Sequence, residues 1–468
     1  MESKPASEAN KSATDVDHYV EHLSAVSTQN EVTTTEDIYN ERGVLLVKKG
    51  SRVDQNASTR LIKHRLTRPL EQQVQIRNTI NRNTLFDSFQ ELFGKYPDLR
   101  QVHLSAKAEQ DFDLFVHTWD MPPVLAQKLT VMQTQMNSEF EKGLFTAVLC
   151  YLIMRTLNAD RGTTQAAFIA ALVHDIGLLH IDPAVTQKRG TLTPEEWRSI
   201  QGHTVVGKVV LDAVPGLDPR VAHAVLEHHE RCDGTGYPLG KTDAELERIG
   251  QAVGIADAIH AIRVNQFQKV GRNLRDTTAF LQMNSGVYLK DVFGAFVALL
   301  RASNLNSTNI NPYGDLQSLV ANVRPQWQAL HKVAAYLDTL VAVTETVQLG
   351  GKNKKLLKLF VRLQTVLTQS GLLQAELGGW LDTVAKLPDD RTLAELAETD
   401  LMLNELAWQL RSVHMAMQQV LDDAAISALP QAAALRHMAE EMSQAIEKSK
   451  PRAERAAPTQ PPSPNQSA

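Results

Sequence analysis

A chain of 468 residues is too long for one compact core and points to two or three units. Its 43% hydrophobic and 22% charged residues are ordinary for a globular protein, and a net charge of −5 gives no general attraction to nucleic acid or anionic membranes. Cys150 and Cys232, without a CxxC pair, exclude a disulfide framework and a thiolate zinc cluster. No signal-peptide core and no run of ~18 to 20 apolar residues is present, so the expectation is a cytoplasmic protein with no membrane insertion.

Residues 1–35 are rich in Ser, Thr, Asn and Glu and read as a disordered leader. Residues 36–80 follow as a small α/β module. Within it GVLLVKKGSRVD reads as a hairpin, two short apolar runs about a Lys-Lys-Gly turn, and TRLIKHRLTRPLEQQVQI as a short helix with room for another strand after it. From 85 to 302 the pattern is almost wholly helical, and FIAALVHDIGLL carries apolar positions at helical spacing. Thr193 is placed to cap a helix, with Pro194 first inside it and Glu196 three residues after the cap; Asp218 and Pro219 open another in the same way. The loop RCDGTGYPLG is punctuated by Gly234, Gly236, Pro238 and Gly240, and the next helix brings Asp257 into apolar surroundings. Residues 314–447 are again amphipathic and helical, around Trp327, Trp380 and Trp408. They read as a separate bundle whose apolar faces form a core or serve a partner or homodimer. Residues 448–468, dense in Pro, Ser and Ala, read as a disordered tail.

Seven of the fifteen histidines lie between His174 and His260. His174 and Asp175 are adjacent, His203 follows 29 residues later, His228 and His229 are 25 further on, and Asp257 is 28 beyond. Each falls on or near the end of a different helix, so packed helices can turn all six groups into one cavity. Imidazole and carboxylate donors without thiolates suit iron, manganese, zinc and similar divalent ions. Six donors exceed one tetrahedral site, and two metals bridged by Asp175 fit the count. Two ions about 3.5 to 4 Å apart activate water and neutralise a phosphoryl transition state.

HDIGLLHIDPAVTQKRGTLTPEEW, GHTVVGKVVL, HHERCDGTGYPLG and GIADAI strongly resemble the HD-GYP family. The signature HHExxDGxGYP is filled at His228, His229, Glu230, Asp233, Gly234, Gly236, Tyr237 and Pro238, and the resemblance covers roughly residues 115–302. It implies a mainly α fold, with an HD-superfamily helical domain over 85–302 between the α/β module and the bundle. It also implies a bacterial phosphodiesterase that opens cyclic di-GMP with two or three iron or manganese ions, of which two divalent ions are expected here. The family's ligands transfer to His174, Asp175, His203, His228, His229 and Asp257, with Asp175 central to catalysis. Asp233, Gly234, Gly236, Tyr237 and Pro238 would form a contact loop for GGDEF-domain proteins, although such residues also simply make a tight turn.

The sequence departs from the family in three places. HDIGL puts Leu178 where the family has a phosphate-contacting lysine. The family's histidine on an earlier helix falls near Lys142, and its third-metal glutamate at Ser138. The usual ADxYDALTSxRPYR runs here as ADAIHAIRVNQFQK, with Ile259, His260 and Gln266 in place of Tyr, Asp and Arg. Lys188, Arg263 and Lys269 are the remaining cations placed to meet a phosphate. Two readings follow: a phosphodiesterase of reduced activity, or an impaired scaffold that keeps the fold and signals through its partner loop.

Overall fold

The computed structural model describes residues 17–449 except 189, 191, 269–270, 285, 307, 309–313, 347–350, 371, 373–374, 385–389 and 422–431. The leader before Asp17, the tail after Ser449 and Lys269 therefore lie outside the described residues. The fold is mainly α. Its strands are short: β1 (Val32–Thr34) pairs antiparallel with β4 (Val74–Ile76), and β2 (Ile38–Tyr39) with β3 (Leu45–Val47).

Two expectations for the N-terminal region are corrected. Helix α1 (Tyr19–Val26) lies within the stretch read as a leader. YVEHLSAV sets Tyr19, Leu23 and Val26 on one face, and all three are buried; the polar composition around them hid that stripe. The hairpin turns earlier than the Lys-Lys-Gly sequence, because Asn40 Oδ1 accepts from the backbone N–H of Arg42 and Val44. Lys48, Lys49 and Gly50 instead lead the chain to Arg52, which bridges to Thr33.

The module 36–80 does not form a core of its own. One apolar cluster runs from Tyr19 through Val32, Val53 and Ile76 to Phe296 and Leu300. A polar seam reinforces it. Lys128 is fully buried, with Nζ 2.9 Å from His180 Nε2, 3.5 Å from Glu71 Oε1 and 3.7 Å from the Tyr19 ring centroid. His180 in turn donates from Nδ1 to Asp17 at 2.7 Å, and Tyr19 Oη donates to Gln127 at 2.9 Å. A buried ammonium is tolerable only with such partners.

At the centre of the cluster stands α2 (Asn137–Thr156), whose residues from Gly143 to Met154 are buried all round. Packed on it are α3 (Arg161–Leu172) and, later in the chain, α6 (Arg248–Ile262). Between these come α4 (His203–Asp212) and α5 (Pro219–Glu227), which pack on each other, and α7 (Lys290–Ala302) closes the cluster against α2. The caps read from sequence are present: Thr193 accepts from the N–H of Glu196 in a reciprocal capping box, and Asp218 accepts from the N–H of Arg220.

Long helices α8 (Leu316–Thr346), α9 (Gly351–Ser370), α10 (Asp390–Leu421) and α11 (Ala432–Ser449) surround a second apolar cluster built on Leu319, Leu330, Phe360, Leu406, Leu410 and Met442. Met283 reaches into it from the first part of the chain. Among the described residues no helix is long and apolar enough to cross a membrane.

Candidate metal centre

All six donors singled out in the sequence come together and are buried. His174 and Asp175 leave α3 on a tight turn that continues as a short 3-10 helix, Ile176–His180. Gly177 makes that turn possible: a Cβ there would stand 2.0 Å from the carbonyl oxygen of His203 and 2.8 Å from the nitrogen of Gly207. The turn thus presses against α4, and His203 Nε2 comes within 3.5 Å of Asp175 Oδ1. His228 caps α5, and Gly254 lets α6 approach it; a Cβ at 254 would be 2.3 Å from His228 O. On α6, Asp257 Oδ1 lies 3.5 Å from His174 Nε2, which is itself 3.3 Å from Asp175 Oδ2.

The histidines are oriented by the backbone. His174, His203 and His228 each turn Nδ1 onto a carbonyl oxygen three residues earlier, of Ala171, Ile200 and Val225, at 2.7 Å. A carbonyl only accepts, so Nδ1 carries the proton and Nε2 is directed inward. His203 Nε2 and His228 Nε2 face one another at 3.3 Å, and one donor atom from each of His203, His228 and His229 lies within 4.8 Å of the others. Burial, with the neighbouring imidazoles, holds His228 and His229 well below the usual histidine range, and burial also lowers His203. These rings are neutral. The inward Nε2 atoms of His203 and His228 carry lone pairs that repel unless a cation lies between them.

The carboxylates are charged. Burial opposes ionisation of Asp175, but His174 and Lys142 hold its carboxyl well below the usual range; Lys142 and His174 do the same for Asp257 against its burial. Burial works against charge on His174, yet Asp175 and Asp257 push it up to about 9. His174 Nε2 and Asp257 Oδ2 are buried without a hydrogen bond, while Asp175 Oδ2 and Asp257 Oδ1 face the Lys142 ammonium. A set of orphaned donors of this chemistry fits a divalent cation of the iron, manganese or zinc type.

Lys142, on α2, enters the same cluster. Its Nζ is 2.6 Å from Asp175 Oδ2 and 3.0 Å from Asp257 Oδ1. Sequence spacing marked the position but not this double ion pair.

The substrate cations expected from sequence are differently placed. Arg263 Nε is 2.6 Å from Asp98 Oδ2, with its guanidinium near the Tyr96 ring, so it braces α6 rather than standing free for a phosphate. Lys188 pairs with Glu196 at 2.6 Å, tying the 188–196 loop to the cap at Thr193. His260 is buried against Phe145 and Tyr96.

The loop after His229 is built around Glu230, whose role the sequence did not reveal. Its buried carboxylate accepts from the N–H groups of Leu239 (2.6 Å), Gly240 (3.1 Å) and Lys241 (3.0 Å). Gly236 has no room for a side chain, with a Cβ 2.4 Å from Glu230 Cα, and Gly234 has φ +71°. Tyr237 stacks on His229 at 4.6 Å, and the Tyr237–Pro238 bond is cis. Asp233 accepts from Thr235 and lies 3.4 Å from Arg362 Nε of α9, so the loop also meets the C-terminal helices.

A helical domain that gathers histidines and aspartates from four helices and their ends into one buried cluster is of the HD class of metal-binding folds. Residues 122–291 match the family model described as "HD domain". The chain is 31% identical over 132 residues to a 3'3'-cGAMP-specific phosphodiesterase of Vibrio cholerae, covering 28% of this chain and 30% of that one. It is 34% identical over 138 residues to a cyclic di-GMP phosphodiesterase of Thermotoga maritima, covering 29% and 37%. A cyclic di-GMP phosphodiesterase of Pseudomonas aeruginosa is 27% identical over 169 residues, covering 36% and 41%. The matches thus span well under half the length of each of these relatives. With the complete HHExxDGxGYP signature, this region is an HD domain of the HD-GYP family.

Proposed function

We propose that the protein is a metal-dependent phosphodiesterase that hydrolyses cyclic di-GMP in bacterial second-messenger signalling. The observation that carries this reading is the pair of unprotonated nitrogens of His203 and His228, facing at 3.3 Å beside an ionised Asp175. The relatives named for cyclic di-GMP and 3'3'-cGAMP support a cyclic dinucleotide as substrate class. His203, His228, His229 and Asp175 would hold a divalent ion, iron or manganese, with His174 and Asp257 completing the cluster. Such an ion activates water and neutralises charge at phosphorus. The protein's own part is to keep the His203 and His228 imidazoles neutral and fixed through their Nδ1 bonds, and to hold Asp175 ionised by ion pairing. Whether a second ion joins the first depends on Lys142.

The substrate-facing cation that this arrangement supports is Lys142, at the carboxylates of the cluster, and Lys269 keeps the role read for it from sequence. A GGDEF-type partner at the Asp233–Pro238 loop is supported by Leu239, which is 62% exposed beside it. A cytoplasmic location follows from the proposed substrate, and a homodimer through 314–447 remains our reading of that bundle.

The test is hydrolysis of cyclic di-GMP by protein loaded anaerobically with Fe(II) or Mn(II), followed by chromatography beside an Asp175→Ala control. Turnover that disappears in the control is the expected result. Absence of turnover with metal demonstrably bound would refute the proposed activity.

A further inference from the structure

The six donors divide into two groups around Asp175. Its Oδ1 faces His203, with His228 and His229 beyond. Its Oδ2 faces His174 at 3.3 Å, with Asp257 beyond. The second group already holds a cation. Lys142 Nζ sits 2.6 Å from Asp175 Oδ2 and 3.0 Å from Asp257 Oδ1, and these are the same two oxygens that approach His174 Nε2.

A divalent ion bound by those carboxylate oxygens would lie about 2.0 to 2.2 Å from each. That point and the ammonium nitrogen coincide within the size of either group, so both cannot be accommodated. Their like charges would also repel strongly in a buried site. Lys142 does not reach in from a mobile surface: its side chain is 21% exposed, and it projects from α2, the helix at the centre of the core. Two ionised carboxylates packed together need a counter-charge, and the ammonium supplies it.

We propose that Lys142 is a built-in cation standing in place of one of the two metal ions, so that the protein carries a single divalent ion, held by His203, His228, His229 and Asp175. This rests on the metal-dependent reading above. The consequence is chemical. An ammonium neutralises the Asp175–Asp257 pair and offers hydrogen bonds to a phosphate oxygen, but it cannot act as a Lewis acid. It also pins Asp175 through Oδ2, leaving Oδ1 turned towards the histidine trio.

The experiment counts metal in the full-length protein after loading with Mn(II) and removal of excess, by plasma mass spectrometry, and reads its electron paramagnetic resonance spectrum. Wild type is expected to hold one Mn(II) per chain, with the six-line signal of an isolated ion. Lys142→His, which exchanges the cation for a neutral donor, should rise to two and show the broad signal of an exchange-coupled pair. Two ions in wild type would overturn the inference even if the variant does not fold, and so would a folded variant that stays at one. The activity assay separates the two readings. Two ions with turnover remove the inference and leave the phosphodiesterase; one ion without turnover does the reverse; no ion removes both.

Discussion

The Nε2 atoms of His203 and His228 stand 3.3 Å apart while both rings give their Nδ1 protons to backbone carbonyls, of Ile200 and Val225. Two lone pairs at that distance are a standing cost in the metal-free chain, and an ion between them removes it. Mn(II) at a hundredfold excess over its dissociation constant should therefore stabilise the native state by about 2.7 kcal/mol. That appears as a rise in melting temperature, cancelled by a chelator. In His228→Ala the rise should vanish; an undiminished rise in that variant would place the ion elsewhere.

Gly177→Ala tests how the site is assembled. The added methyl meets His203 O at 2.0 Å, and that neighbour is backbone, which cannot rotate aside. The variant should lose about 3 kcal/mol or more in denaturant unfolding, above the middle of the range for overpacked cores. Displacement of α4 should also carry His203 away from Asp175 and weaken Mn(II) binding. Wild-type Mn(II) affinity in this variant would show that the turn does not position His203.

Glu230→Gln addresses the loop instead. Its carboxylate accepts from three backbone N–H groups, and a side-chain amide can serve them only in part. We expect a loss of about 1 to 3 kcal/mol in stability. The Mn(II) count should be unchanged, because Glu230 is not among the donors. A change in metal content without a change in stability would contradict this assignment.

Acidification should weaken the fold through His103. Its ring is buried and stacked on Phe93 at 4.8 Å, with Nε2 unpartnered, and burial pulls it from 6.5 to about 4. A histidine depressed in this way binds its proton more readily when unfolded. Its contribution is complete above pH 6.5 and is lost as pH falls towards 4, at about 1.4 kcal/mol per unit of separation. Melting temperatures measured across that window should fall less steeply in His103→Phe than in wild type. Parallel curves would exclude His103 as a source of the acid sensitivity.

The donor cluster was legible because its spacing is local: each of His174, His203, His228 and Asp257 sits at a helix end or on a helix face marked by caps and glycines. Lys142 was legible only as the occupant of an absent histidine's place, since its reach to both carboxylates depends on how α2 crosses α6. Arg263 was misjudged for a related reason. Its partner Asp98 is 165 residues away in sequence, and no local pattern announces such a pair. Glu230 stood in the signature, but its work is done on the N–H groups of Leu239 to Lys241, which periodicity does not expose. At the N-terminus, average composition outweighed a stripe of three apolar residues in α1. The two apolar clusters are compatible with the division into 85–302 and 314–447, which stays a proposal.

The Lys128 seam has a bearing on inheritance. An ammonium held by Tyr19, Glu71 and His180 makes the first eighty residues and the HD region answer to one another side chain by side chain. A gene fragment beginning at Leu85 would carry the cation into a foreign setting without two of its three companions. Such a region cannot be shuffled between signalling proteins as a free cassette; recombination would have to move the seam whole or replace Lys128 in the same step.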